Sequence, residues 1–166
     1  RSMANMNAIQ PMPVSSTRIR EAIQAGQLAE ARCLLGRDII ISGTVKSGKG
    51  IGARRLNCPT ANIEAGGGLL PPDGVYAARC LLQSRGQNLP GIAYIGKSPT
   101  VTPTHTAAPR IIEIHLFDID EALYGEDIDI TFVRFIRPDR KFAGEQQLKQ
   151  QIAADITAAR DLLNTI

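Results

Sequence analysis

The sequence predicts a mainly β fold, a small antiparallel barrel or sandwich that follows a helical hairpin and precedes one long helix. Three observations support this prediction. The hydrophobic period falls from about 3.6 residues to 2 after Arg37, as expected where helices give way to strands. The 166 residues include 15 glycines and 10 prolines, which is typical of short strands joined by turns. No helical pattern separates the strand-like segments, so we expect antiparallel pairing.

The first 37 residues divide into a tail and two short helices. Residues 1–13 show no apolar period and hold all three methionines, so we expect a disordered tail or an expression remnant. Ser16 is the predicted N-cap of the first helix, and Gly26 and Gly36 end the two helices. Together they form a helical hairpin over 14–37. Its apolar positions are Ile19, Ala22, Ile23, Leu28, Ala31, Leu34 and Leu35.

The remaining elements are five strands and a helix. The segments that alternate with a period of two and are bounded by turn residues are 38–47, 74–82, 90–97, 110–117 and 127–136. A helix is predicted near 143–164, where an apolar stripe should pack on the outside of the barrel. The stripe consists of Leu148, Ile152, Ile156, Ala159 and Leu163.

Composition argues against several classes of protein. The net charge of +3 is too small and too scattered for a nucleic-acid partner, although 14 arginines against five lysines suit phosphate ligands. No apolar run approaches the roughly 20 residues of a membrane helix, and the first residues lack a secretory core. We therefore expect no membrane partner and a cytoplasmic location. Three cysteines without a CxxC pair support neither a disulfide scaffold nor a zinc site, and Cys33 and Cys80 are interpreted as core residues.

Two neighbouring segments could carry phosphate chemistry. The segment 43–55 mixes glycines with four cations, but Gly50 stands where a P-loop requires Ser or Thr. It is either a loop that approaches phosphate or a flexible basic turn. Thr60 and Asn62 follow Pro59, and in an extended stretch both would face one way. Their neutral oxygens suit Mg²⁺, while a capped turn is the alternative.

Glu113 is the sharpest single candidate for catalysis. In a strand it shares one face with His115, opposite Ile112, Ile114 and Leu116. In a closed cleft it could act as a general base, whereas on a solvated face it would have no chemical role. With His105 as the only other histidine, a histidine metal site is not indicated.

The order of several short motifs resembles the riboflavin kinase (flavokinase) family, in the form found at the C-terminal end of bacterial bifunctional riboflavin kinase/FAD synthetases. The similarity covers about residues 14–163. The motifs are 14–20 (VSSTRIR), 35–37 (LGR), 59–62 (PTAN), 73–76 (DGVY), 95–96 (IG), 99–100 (PT), 113–118 (EIHLFD), 123–125 (LYG), 136–138 (IRP), 141–142 (KF) and 151–152 (QI) with Asp155.

The resemblance implies a six-stranded antiparallel Greek-key barrel over 38–166 with a C-terminal helix. It implies transfer of the γ-phosphate of ATP to the 5′-hydroxyl of riboflavin, giving FMN and ADP, with Mg²⁺ as the metal. By the same resemblance Glu113 is the general base, and Thr60 and Asn62 hold the metal. The residues placed at the nucleotide are Gly48, Gly52, Arg54, Pro59, Thr60, Asn62 and Tyr124. Those placed at the flavin are Arg137, Lys141 and Phe142.

The resemblance also assigns the hairpin over 14–37 to the end of an FAD synthetase module, the expected partner in a parent chain. Because the nucleotidyltransferase core of that module is missing, we expect no FAD synthesis. The sequence departs from the family pattern at Asn57, Cys58 and Tyr94, where glycine, phenylalanine and asparagine are usual. One alternative is therefore a catalytically weak module that binds flavin or nucleotide. A small basic barrel that binds nucleic acid is the other.

Overall fold

A computed structural model describes residues 15–46, 60–65, 68–97, 110–119 and 121–165. The helices in these ranges are α1 (Ser16–Gln24), α2 (Leu28–Leu35) and α3 (Glu145–Asn164). The strands are β1 (Ile40–Lys46), β2 (Ala61–Ala65), β3 (Gly74–Leu82), β4 (Gln87–Lys97), β5 (Arg110–Leu116) and β6 (Asp127–Pro138).

The six strands close into an antiparallel barrel in the order β1-β2-β5-β4-β3-β6. Strands β3, β4 and β5 are successive neighbours, and β6 returns to lie beside β3, which is a Greek-key arrangement. The predicted fold is confirmed. The residue pattern alone missed β2, because Ile63 is its one large apolar residue and pairing with β1 and β5 makes it a strand. Strands β4 and β6 are longer than predicted, since both continue along β3.

Each strand buries one face inside the barrel. The interior residues are apolar and are at most 7% exposed. Alternation therefore leaves the intervening residues on the outer face. The main interior residues are Ile41, Val45, Ile63, Tyr76, Ala78, Cys80, Leu82, Ala93, Ile95, Ile112, Ile114, Leu116, Ile128, Ile130 and Phe132.

The helical hairpin adds to this same core. Ala22, Ile23, Leu28 and Ala31 are buried in one cluster with the barrel interior. The predicted ends hold, with Gly26 and Gly36 at positive φ, but the N-cap is Ser15, whose hydroxyl accepts from the Arg18 amide. The prediction that both Cys33 and Cys80 are core residues was wrong for Cys33, which is exposed on the outer side of α2. The domain division near residue 37 stays a prediction.

Helix α3 packs on the outside of the barrel, as its apolar stripe predicts. Ala159 and Leu163 are buried against Ala77 of β3 and Phe117, which follows β5. The Arg79 guanidinium donates to the Leu163 carbonyl at 2.9 Å. The helix therefore covers the face of β3 and the ends of its neighbours, and its N-terminus lies just after β6.

We expect the hairpin to be needed for the stability of the barrel. Ala31→Asp places a carboxylate at a fully buried position and should lower the free energy of unfolding by about 3 kcal/mol. Ala29→Asp, on the exposed side of the same helix, is the matched control and should change it by less than about 0.5 kcal/mol. Urea denaturation followed by circular dichroism measures both. Equal stability of the two variants would show that hairpin and barrel fold independently.

Candidate functional site

Strand register places several of the predicted residues in one row on the outer face of the barrel. Each member is paired directly with the next one across a strand boundary, and directly paired residues in antiparallel strands have Cβ atoms about 4.5–5.5 Å apart. The row contains, in order around the barrel, Lys46, Asn62, Glu113, Tyr94, Val75 and Arg137. Three of these are predicted site residues, Asn62 and Glu113 from the residue pattern and Arg137 from the family resemblance, and the pairing brings them into one row.

Glu113 lies near the middle of this row, on β5 between Asn62 and Tyr94. Its neighbours Ile112 and Ile114 point into the barrel and are 1% exposed, so the predicted division of the strand into two faces is confirmed. The Glu113 side chain is half-buried, and this burial raises the pKa of its carboxyl group. A carboxylate with a raised pKa is a stronger base than an ordinary glutamate, which suits proton abstraction.

Tyr94 flanks Glu113 on the other side, and its position could not be read from the sequence. Its side chain lies within electrostatic reach of the carboxylate of Asp139, just beyond β6. Burial, followed by the charges of Asp139 and Glu113, raises the pKa of Tyr94 to about 12. The hydroxyl therefore remains a donor at neutral pH. The ring lies over Gly96, where a Cβ would overlap it.

Thr60 directly precedes β2 and Asn62 is its second residue, and each lines a cavity. Thr60 and Tyr124 line a cavity of about 160 Å³ whose walls include Val45, Ile114 and Leu116. This cavity joins two residues that the resemblance places at the nucleotide. Asn62 instead lines an outer groove with Lys46, Glu64 and Arg110. The cation of Lys46 is 3.0 Å from the Glu64 carboxylate.

The residues predicted at the flavin lie around the start of α3. The Arg137 guanidinium binds Asp155 through Nε at 2.9 and 3.0 Å and through Nη2 at 2.7 Å. Asp155 is 2% exposed and also accepts from the Gln151 amide at 2.7 Å. This buried pair ties β6 to α3, a role that sequence reasoning did not assign to either residue. Arginine and aspartate 18 residues apart carry no local signal of pairing.

Phe142 lies beside this pair and Lys141 is exposed next to it. The guanidinium carbon of Arg137 is 5.6 Å from the Phe142 ring centroid, and that of Arg140 is 4.7 Å from it. Arg140 also hydrogen-bonds Gln151. The segment 139–143 is thus a short connection whose aromatic ring lies near two arginines.

The other predicted nucleotide residues, Gly48, Gly52, Arg54 and Pro59, lie outside the described residues, as do Asn57, Cys58 and the loop 101–109. Within the described ranges, no three His, Cys, Asp or Glu side chains are grouped to hold a metal ion. None of the helices that the structure describes is long and apolar enough to cross a membrane.

Comparison with known proteins identifies relatives of this barrel. The family model described as "Flavokinase: Riboflavin kinase" matches residues 35–163. Curated proteins named bifunctional riboflavin kinase/FMN adenylyltransferase are 37% identical over 152 residues in Haemophilus influenzae and 39% over 148 in Escherichia coli K12. These matches cover 92% and 89% of this chain but 47% and 45% of the relatives. The chain thus spans about half the length of the curated relatives it matches.

Two solved structures are also similar. A crystal structure named as a macrolide-efflux protein from Streptococcus pneumoniae has a TM-score of 0.78 at 34% identity, over 89% of this chain and 46% of that one. The riboflavin kinase from Trypanosoma brucei has a TM-score of 0.52 at 20% identity, over 75% of this chain and 79% of that one. At that identity the second likeness supports the fold alone.

The ion pair between Arg137 and Asp155 should stabilise the junction of β6 and α3. Asp155→Ala leaves the Arg137 guanidinium, 16% exposed, without its carboxylate and should lower the free energy of unfolding by about 3–5 kcal/mol. Asp161→Ala, at an exposed site on the same helix, controls for loss of an aspartate and should have little effect. Chemical denaturation measures both. A change below about 1 kcal/mol for Asp155→Ala would contradict this assignment.

Proposed function

The chain belongs to the riboflavin kinase (flavokinase) family, and we propose that it transfers the γ-phosphate of ATP to the 5′-hydroxyl of riboflavin, giving FMN and ADP. The observation that carries this proposal is the row on the outer face of the barrel. It sets Glu113 directly between Asn62, on the side assigned to the nucleotide, and Tyr94, next to the segment assigned to the flavin. A base between two substrate sites is the arrangement that phosphoryl transfer to a hydroxyl requires.

Glu113 is the proposed general base. Its carboxylate accepts the proton of the 5′-hydroxyl as that oxygen attacks the γ-phosphorus, and the bond from the γ-phosphorus to the bridging oxygen of ADP breaks. Burial favours this role because it raises the pKa of Glu113 and makes the carboxylate more basic. The apolar residues on the opposite face of β5 hold the strand rigidly in the barrel, so the carboxylate keeps its position beside Asn62.

Thr60 and Asn62 are the proposed ligands of a magnesium ion that enters with ATP. Their hydroxyl and amide oxygens fit Mg²⁺, which prefers oxygen and takes the rest of its shell from phosphates and water. When bound, the ion would neutralise charge on the transferring phosphoryl group. Thr60 also lines the cavity that it shares with Tyr124, which we assign to the nucleotide. Gly48, Gly52, Arg54 and Pro59 remain proposed for the phosphates, and Arg137, Lys141 and Phe142 for the flavin.

The names of the curated relatives pair riboflavin kinase with FMN adenylyltransferase. We propose only the kinase reaction for this chain. In a longer parent protein, we propose that the hairpin α1–α2 connects the barrel to the second module, which would consume the FMN that the kinase makes. The described residues support this in one respect: the hairpin is packed on the barrel through one face and leaves the other exposed.

The direct test is to incubate the chain with riboflavin, ATP and Mg²⁺ and to separate FMN by chromatography. We expect FMN to accumulate with ADP in equal amounts. Bound flavin without FMN would favour a binding module that has lost turnover, and oligonucleotide binding that weakens with salt, without flavin affinity, would favour a nucleic-acid barrel.

Glu113→Gln should reduce kcat by about 10²-fold or more, because the amide cannot accept the proton. Glu64→Gln is the matched control, since Glu64 is an exposed glutamate on the adjacent strand, and its kcat should stay within about twofold. Unchanged turnover in Glu113→Gln would remove Glu113 from the mechanism.

The same substitution should stabilise the fold at neutral pH. A carboxyl whose pKa is raised by folding contributes stability below its unfolded pKa, and this stability is lost as pH rises through the folded pKa. Ionised Glu113 therefore costs stability at pH 7, a cost that glutamine avoids. We expect a higher Tm for Glu113→Gln than for wild type at pH 7 and a smaller difference near pH ~4, by scanning calorimetry. A lower Tm at pH 7 would contradict a raised pKa.

Thr60→Val keeps the shape of the side chain and removes its oxygen. We expect the Mg²⁺ concentration for half-maximal activity to rise at least about tenfold, with the riboflavin KM little changed. Thr157→Val on the outer side of α3 is the control and should leave both parameters unchanged. An unaltered Mg²⁺ requirement in Thr60→Val would rule out Thr60 as a ligand.

A further inference from the structure

Lys46 stands at one end of the row that also contains a proposed metal ligand and the proposed base. It is paired directly with Asn62, and Asn62 is paired with Glu113, so the three side chains lie on neighbouring strands in that order. Val45, the residue before Lys46, is 2% exposed and points into the barrel, which puts Lys46 on the outer face. Lys46 therefore lies on the opposite side of Asn62 from Glu113.

The Lys46 side chain is a cation that can move to a ligand. It shares the outer groove with Asn62, and its partner there is the Glu64 carboxylate, 3.0 Å from its ammonium nitrogen. Both members of this ion pair are more than half exposed. An exposed pair of this kind contributes little to stability, so its exchange for a phosphate oxygen costs the fold little.

The other two cations of this row and groove are already bound within the protein. Arg110, in the groove, donates to the Asp73 carboxylate at 2.8 Å and to two backbone carbonyls. Arg137, at the far end of the row, binds the buried Asp155 carboxylate. Among the residues that the structure describes along the row and groove, Lys46 is therefore the cation best placed to bind a ligand.

The order of the row determines the direction of phosphoryl transfer. The attacking oxygen, the γ-phosphorus and the leaving oxygen lie roughly in line in this reaction. With the nucleophile beside Glu113 and the γ-phosphate beside Asn62, the leaving oxygen lies away from Glu113, on the side of Lys46. Neighbouring strands are about 4.8 Å apart, so two strand spacings, roughly 10 Å, separate Lys46 from Glu113, with the phosphoryl group between them.

We infer that Lys46 binds the β-phosphate of ATP and stabilises the charge that develops on it as ADP leaves. This rests on the proposed function, which assigns the phosphates to the side of Asn62 and the base to Glu113. As the 5′-oxygen bonds to the γ-phosphorus, the bond from the γ-phosphorus to the bridging oxygen breaks, and its electron pair stays on ADP. The proton goes to Glu113, and the Lys46 ammonium donates a charge-assisted hydrogen bond to the β-phosphate.

The test compares Lys46→Met, which keeps the length of the side chain and removes its charge, with Lys46→Arg, which keeps the charge. Lys149→Met is the matched control, because Lys149 is a similarly exposed lysine whose ammonium is 2.9 Å from the Glu145 carboxylate on α3. Calorimetric titration with ADP and with AMP, in the presence of Mg²⁺, reports contact with the β-phosphate without turnover. Steady-state kinetics with ATP and riboflavin reports the effect on the reaction.

In Lys46→Met we expect the ADP Kd to rise at least about tenfold and the AMP Kd to stay within about twofold, because AMP lacks the β-phosphate. The kcat should fall about 10²-fold, with the riboflavin KM within about twofold of wild type. Lys46→Arg should recover most of both losses, since arginine also donates to phosphate. Lys149→Met should leave all four parameters within about twofold of wild type.

An ADP Kd within about twofold of wild type in Lys46→Met would overturn the inference, and so would equal losses of affinity for ADP and AMP. Weaker ADP binding with an unchanged kcat would also overturn it, since Lys46 would then bind the phosphate without assisting its departure. A wild-type chain that binds ADP but makes no FMN would refute the proposed reaction, while the comparison of ADP with AMP would still show whether Lys46 contacts the β-phosphate.

Discussion

The register of β5 between β2 and β4 is the constraint on which the candidate site depends. Ile112, Ile114 and Leu116 must enter the barrel core, and because side chains alternate, Glu113 must then lie on the outer face. A slip of one residue would bury the carboxylate inside the barrel and expose three aliphatic side chains. The core that stabilises the fold therefore also determines where the proposed base lies and which residues flank it.

The residues that stabilise the barrel and the residues proposed for the reaction lie on opposite faces of its strands. Its interior is apolar throughout the described strands, apart from the Tyr76 hydroxyl, which is hydrogen-bonded to Pro72. The polar side chains that could take part in a reaction lie on the outer face, where Asn62, Glu113 and Tyr94 are next to one another. Stability and basicity conflict at Glu113, because the burial that raises the pKa of its carboxyl group also disfavours the charged form of that group. A site that needs a basic carboxylate accepts that local loss of stability.

Helix α3 adjoins the candidate site at the end of the row formed by Arg137. Its apolar stripe fixes it on β3, and Asp155 inside that contact binds Arg137 at the end of β6. A buried charge pair of this kind contributes less to net stability than to geometry, because desolvation offsets much of its attraction. Its consequence here is a fixed position for the end of β6, from which the segment 139–143 begins.

The sequence alone determined the class of fold, most strand and helix bounds and the two faces of β5, because these follow from local periodicity and turn residues. The similarity of its motifs to the riboflavin kinases also pointed to the family that the comparisons confirm. Strand β2, the exposure of Cys33, the pairing of Arg137 with Asp155 and the place of Tyr94 beside Glu113 were decided by tertiary structure. Each depends on contacts between residues far apart in the chain, and neither periodicity nor spacing records which strand lies next to which.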